Sequence, residues 1–140
     1  MRTTPFPNIV LSADATLNDS DKTFTVPAGK AWRLQSLYAQ LVATATVGNR
    51  QLDVLLTDPS NNELSKLQAG AVITAGQTRT VVFAEHNPQE TAFTNALMFR
   101  ALPSGFILPA GYKIRVFDSA AIDAAADDLT VRMLLEELVE

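Results

Sequence analysis

The chain has 140 residues, of which 47% are hydrophobic and 19% charged, with a formal net charge of −4 and no cysteine. That length fits one domain with a real core, burying roughly 68–70% of the surface its unfolded chain would expose. The composition argues against disulfides and thiolate metal sites, against the basic patch of a nucleic-acid binder, since the eleven Lys and Arg do not cluster, and against a membrane span, since no run of 18 apolar residues occurs.

Residues 1–8 carry Pro5, Phe6, Pro7 and Asn8 and read as an extended arm, because proline cannot sit in a central ladder. They lack the apolar stretch of a signal peptide, so folding in a cytosol is expected. The folded domain is expected over 9–140. Ile9-Val10-Leu11 is a short apolar run, and 22–26 is a second short strand after the turn-rich Asn18-Asp19-Ser20-Asp21. Residues 32–46 form a long strand with a change of phase. Trp32 and Leu34 lie on one face, whereas Leu37, Ala39 and Leu41 alternate on the opposite phase, and a bulge near Gln35-Ser36 reconciles them. Leu52, Val54 and Leu56 alternate as a half-buried strand. The loop 58–62 follows, then strands over 64–73 and 78–84 around Ala75-Gly76. Residues 85–96 are irregular. Short strands are expected at 96–102 and 106–108, and clean alternation returns at Tyr112, Ile114 and Val116, then at Leu129, Val131, Met133 and Leu135. The alanine-rich stretch 119–126 has the composition for one or two helical turns. The whole predicts an all-β, single-domain antiparallel β-sandwich, jelly-roll-like.

An internal echo supports that class. Phe24-Thr25-Val26-Pro27-Ala28-Gly29-Lys30-Ala31-Trp32-Arg33-Leu34 aligns without gaps to Phe106-Ile107-Leu108-Pro109-Ala110-Gly111-Tyr112-Lys113-Ile114-Arg115-Val116. Proline at the second turn position and glycine at the fourth suit a type I turn between two strands. Arg33 and Arg115 then point outward. A Greek-key jelly roll uses such corners in equivalent places on its two halves.

Catalytic chemistry is sparse. His86 is the single histidine, set in a polar loop without a nucleophile motif, and reads as solvated. Asp118, Asp123, Asp127 and Asp128 form the densest acidic patch. Their spacing does not match a calcium loop, so they read as a solvated connection between strands. Glu136 is expected on the outer face of the last strand and Glu140 in a frayed end. Trp32 falls in a core phase, Tyr112 leads an inward set, and Tyr38 lies on the outer phase. No catalytic residue, cofactor or metal ligand is assigned.

The segments 26–37, 45–52 and 108–116 resemble those of small virion proteins of tailed bacteriophages, of the head decoration (cement) type. The resemblance covers roughly residues 24–136. It implies a β-sandwich on the capsid surface, made in the host cytoplasm, often trimeric, that bridges subunits of the major capsid protein through interfaces. On that implication the function is mechanical and non-enzymatic, without nucleic-acid or membrane partners. Pro5, Phe6, Pro7, Asn8 and Tyr38 are its candidate interface residues. The uncharged stretch 69–76 would be an exposed edge unless paired or buried. The alternative is a carbohydrate- or receptor-binding module of a phage tail, with the 118–128 region as its site, and an enzyme ranks third.

Overall fold

A computed structural model describes residues 8–14 and 19–139. Nine strands appear in it: β1 (Asn8–Asp14), β2 (Asp21–Thr25), β3 (Lys30–Val42), β4 (Leu52–Thr57), β5 (Glu63–Gln68), β6 (Thr78–Glu85), β7 (Leu97–Leu102), β8 (Lys113–Asp118) and β9 (Asp128–Val139). The expected all-β class holds, with no helix among the described residues. Residues 119–126 form turns instead, because Asp118 accepts the backbone N–H groups of Ala120 and Ile122. A short polar side chain that claims local N–H groups outcompetes the helical preference of alanine.

The strands form a five-stranded sheet ordered β1-β9-β3-β6-β7 and a four-stranded sheet ordered β2-β8-β4-β5. The pairings β1–β9, β2–β8, β3–β6 and β4–β5 nest inside one another, all antiparallel. The pairs β3–β9 and β4–β8 then close each sheet. One pairing departs from the expected antiparallel plan. β7 runs parallel to β6, because residues 86–96 carry the chain back along β6 before it re-enters the sheet, as a parallel connection requires.

The phase change in β3 is a bulge. The β3–β9 register shifts between Leu34 and Ser36, which brings Leu34, Leu37, Ala39 and Leu41 to the same core. Inward residues of both sheets share that core, including Leu37, Phe83 and Met133 from one and Val54, Ile114 and Val116 from the other. β4 is not half-buried as its alternation suggests: all six residues are buried. It lies between β8 and β5, whose long side chains cover its outer positions, as Lys66 does over Asp53 at 3.5 Å. β5 stops at Gln68 rather than running to Ile73, which makes an isolated bridge to Arg50. Residues 106–108 contribute only the bridge of Leu108 to Trp32.

The two echoed corners meet in space. Val26 and Tyr112 exchange strands' ends, with the Val26 N–H on the Tyr112 carbonyl and the Gly111 N–H on the Val26 carbonyl, both at 2.9 Å. The turns close one residue later than expected, from Lys30 to Pro27 and from Tyr112 to Pro109. That places Gly29 (φ +74°) and Gly111 (φ +85°) third in each turn, the position at which a type II turn demands positive φ, not the type I geometry expected.

Candidate functional site

The inward alternation of four strands ends in charge at one pole of the molecule. Arg50 extends the set Leu52, Val54, Leu56. Asp118 extends Ile114 and Val116, Asp127 extends Leu129 and Val131, and Lys22 extends Phe24 and Val26. All four charged residues are buried. Arg50 is held by a two-point ion pair, its Nε 2.8 Å from Asp127 Oδ2 and its Nη2 3.2 Å from Oδ1. Its Nη1 donates to the carbonyls of Thr46 and Gly48, each at 2.8 Å. Asp127 in turn accepts the Thr44 N–H at 2.8 Å. Hydrogen bonding to Asp127 is what raises the Arg50 pKa further above its ordinary value. Lys22 lies 3.7 Å from Asp19.

This pole overturns the reading of a solvated connection for Asp118 and Asp127, which are buried, while residues 119–121 and 124–126 between them are exposed. Asp118 accepts the N–H groups of Gln51, Ala120 and Ile122, Asp123 accepts the hydroxyls of Thr44 and Thr46, and Asp127 is spent on Arg50. The carboxylates act as staples between loops. Among the described residues no group of three or more acidic or histidine side chains is arranged to hold a metal ion. The available signal was phase: each charge sits one step beyond an inward-facing set, and opposite charges in such positions pair.

The staples give the fold an acid-sensitive part. The Thr44 and Thr46 hydroxyls, helped by the Arg50 charge, hold the Asp123 carboxyl below its ordinary range. The side chain and backbone of Asn62, with the Ser60 N–H, do the same for Asp58. A depressed native pKa means that the unfolded chain binds these protons first. Its stabilisation is therefore present above the unfolded value, about 3.9, and is lost as pH falls through the depressed native values. Urea unfolding midpoints are expected to fall between neutral pH and pH values below that figure. Asp123→Asn should flatten part of the decline, and an unchanged pH profile in that variant would remove Asp123 from the account.

Tyr38 sits on the outer face of the five-stranded sheet. It pairs with Val82 on one side and Arg132 on the other, and Val82 pairs with Phe99. The result is a row Arg132–Tyr38–Val82–Phe99 across four strands, flanked by Leu134, Ser36, Ala84 and Ala101 in the next row. The only charge in either row is Arg132, whose guanidinium carbon lies 5.2 Å from the Tyr38 ring centroid. Phe99 and Leu134 are each 37% exposed. Beyond them Arg33 pairs with Glu85 and Glu136, confirming the outward orientation of Arg33 and Glu136.

The sheet's own edge beside this face is closed. The β7 N–H groups of Phe99 and Ala101 donate to Glu90 Oε1 and Gln89 Oε1, and the Glu90 N–H to the Phe99 carbonyl. An edge so occupied is withheld from strand pairing. At the pole opposite Arg50, an apolar cleft of about 320 Å³ opens among Leu56, Leu64, Pro103, Phe106, Ile107 and Tyr112.

The remaining expectations fall as follows. Trp32 is buried, with its indole N–H 3.1 Å from Glu137 Oε2, and Tyr112 packs against the core. Arg115 points outward, paired with Asp21 and stacked 3.9 Å from the Phe117 centroid. His86 is exposed in its loop. Asn8 opens β1 opposite Glu137. Pro5, Phe6 and Pro7, with the rest of the arm, lie outside the described residues, as does Glu140. In the uncharged stretch 69–76, Ala69 and Ile73 are buried in the protein's own core. No protein-family model matches the chain, and no curated protein is significantly similar to it.

Proposed function

We propose that the chain is a jelly-roll-like β-sandwich serving as a non-enzymatic structural protein of a tailed-phage virion, a decoration protein that binds the major capsid protein on the capsid surface. The fold part rests on strand order. A long antiparallel hairpin, β1–β9 through β4–β5, with β9 beside β3, β8 beside β4 and β7 at one edge, supports the jelly-roll reading, since a jelly roll nests its pairings in this way. The functional part rests on the resemblance of residues 24–136 to decoration proteins. The observation that carries it is the nearly uncharged outer row with Tyr38 at its centre, which is wide enough, at four strands, for a protein partner. Homo-oligomerisation, with a trimer favoured, belongs to the same reading.

The alternative, a carbohydrate- or receptor-binding tail module, draws less support, because its best candidate residues Asp118, Asp123 and Asp127 spend their oxygens inside the protein. The test is binding to phage shells that lack this protein. Tyr38→Asp puts a charge in the outer row while leaving the core intact. It is expected to weaken shell binding about tenfold or more with an unchanged melting temperature. Wild-type protein that ignores shells but binds a glycan array would replace the decoration reading with the tail one.

A further inference from the structure

The edges β5 and β7 are finished differently. β7 gives its outward N–H groups to Glu90 and Gln89, whereas β5, at the edge of the four-stranded sheet, is capped at one end only. There Arg100 Nε donates to the Gln68 carbonyl at 3.0 Å. The Ala69 N–H bonds to the Leu52 carbonyl on β4, so by alternation Leu67 and Ser65 also turn their backbone groups to β4. Lys66 then turns its N–H and carbonyl away from the sheet. Around it the strand is open, with Leu64 55% exposed and the Lys66 side chain 47% exposed.

Two clefts border this open stretch. Ser65 and Leu67 pair with the core residues Leu56 and Val54, so both face inward. Ser65 and Leu64 line the apolar cleft of about 320 Å³. Leu67 lines a second cleft, of about 150 Å³, whose polar groups are Lys66, Gln68, Gln89 and Arg100, with no acidic residue among its walls. Arg100 spends Nε and Nη1 on the carbonyls of Gln68 and Glu90, so its charge is met by carbonyls rather than by a carboxylate. The clefts therefore differ in chemistry and sit two residues apart along β5, about 7 Å, the spacing at which a strand repeats its side chains on one face.

We infer that the open edge of β5 takes up an extended segment of a partner protein by antiparallel strand addition. Its backbone pairs with Lys66, an acidic residue lies over the polar cleft opposite Leu67, and an apolar residue two positions later enters the apolar cleft opposite Ser65. Strand addition works in this way, with main-chain bonds for affinity and alternate pockets for specificity. A second copy's β5 is a poor mate. A two-fold pairing that exchanges the Lys66 N–H and carbonyl sets Lys66 opposite Lys66, and like charges so placed repel. The inference goes beyond the Tyr38 face, which lies on the other sheet.

The probe is a capped peptide, Thr-Glu-Thr-Leu-Thr-Thr, titrated into the isotope-labelled whole protein and followed by NMR and amide hydrogen exchange. In the free chain the Lys66 amide is expected to exchange fast and the Leu67 amide slowly. Saturating peptide should protect Lys66, with a Kd of about 1 mM or tighter. Replacing the peptide's Glu by Lys, or its Leu by Ser, should each weaken binding about fivefold or more. Ile107→Asp, at an exposed wall of the apolar cleft, should do the same, and Lys66→Gln should narrow the preference for Glu over Lys. No protection of Lys66 at saturating peptide, or binding indifferent to both peptide changes, overturns the inference. So does a Lys66 amide already protected in the free chain, which would mean that this chain or a second copy occupies the edge. Tyr38→Asp should leave peptide uptake unchanged, so this inference and the decoration reading fail separately.

Discussion

Asp127→Ala is expected to destabilise the protein by about 3–5 kcal/mol, because it strands a buried guanidinium. Arg50 and Asp127 are both fully buried, and the carboxylate supplies two of the contacts that compensate the Arg50 charge. The same substitution frees the Thr44 N–H, so a second, half-buried donor loses its acceptor. The double variant Arg50→Met with Asp127→Leu removes the charge together with its partner and should recover part of the loss. Recovery stays incomplete, since the carbonyls of Thr46 and Gly48, in a half-buried setting, lose the donor they share, at a cost below the roughly 1–3 kcal/mol of a fully buried acceptor. Urea unfolding of the two single variants and the double variant measures both terms. A loss of less than about 1 kcal/mol in Asp127→Ala would mean that the pair is solvated as an ordinary surface bridge.

Gly70→Ala should cost about 3 kcal/mol or more, for a reason unrelated to backbone freedom. A Cβ at Gly70 would lie 2.0 Å from the Glu90 carbonyl oxygen and 2.9 Å from the Thr91 Cα. Both are backbone atoms, so relief requires moving the 86–96 loop, and overpacking of that kind costs about 1–3 kcal/mol even where side chains can adjust. The loop cannot move cheaply, because Glu90 and Gln89 hold the free edge of β7. Gly76→Ala is the matched control. Its Cβ meets nothing within 4 Å, but its φ of +73° is unfavourable for alanine, worth about 1–2 kcal/mol. Thermal melts should therefore rank Gly70→Ala well below Gly76→Ala. The reverse order would show that the loop is free to yield.

Much of the fold was legible because alternation is a local signal. The switch of phase between Leu34 and Leu37 located a bulge that the β3–β9 register shows at Leu34/Ser36. The burial of Trp32 and the outward aim of Arg33 and Arg115 followed from the same period. What was not legible depended on residues far apart in sequence. Arg50 and Asp127 are separated by 77 positions, and each looks like an ordinary polar residue at the end of a strand until its partner is known. The parallel β6–β7 pair was hidden because direction depends on how residues 86–96 travel. The helical composition of 119–126 misled because Asp118, outside that stretch, dictates its turns. For the candidate interface, sequence phase placed Tyr38 on an outer face, but Val82, Phe99 and Leu134 joined it only through strand order.

The nested pairing also sets a timetable for synthesis. β9, drawn from residues 128–139, is flanked by β1 and β3 in the five-stranded sheet. Its first partner begins at Asn8, almost the whole chain away. Until β9 has left the ribosome, β1 and the near edge of β3 lack the strand that lies between them, and their backbone groups remain open to other chains. Loop-closure entropy over that separation places such topologies among the slow folders, on the order of milliseconds to seconds. Copies emerging together from one polysome would meet with these edges unpaired, so crowding during expression favours strand exchange between nascent chains.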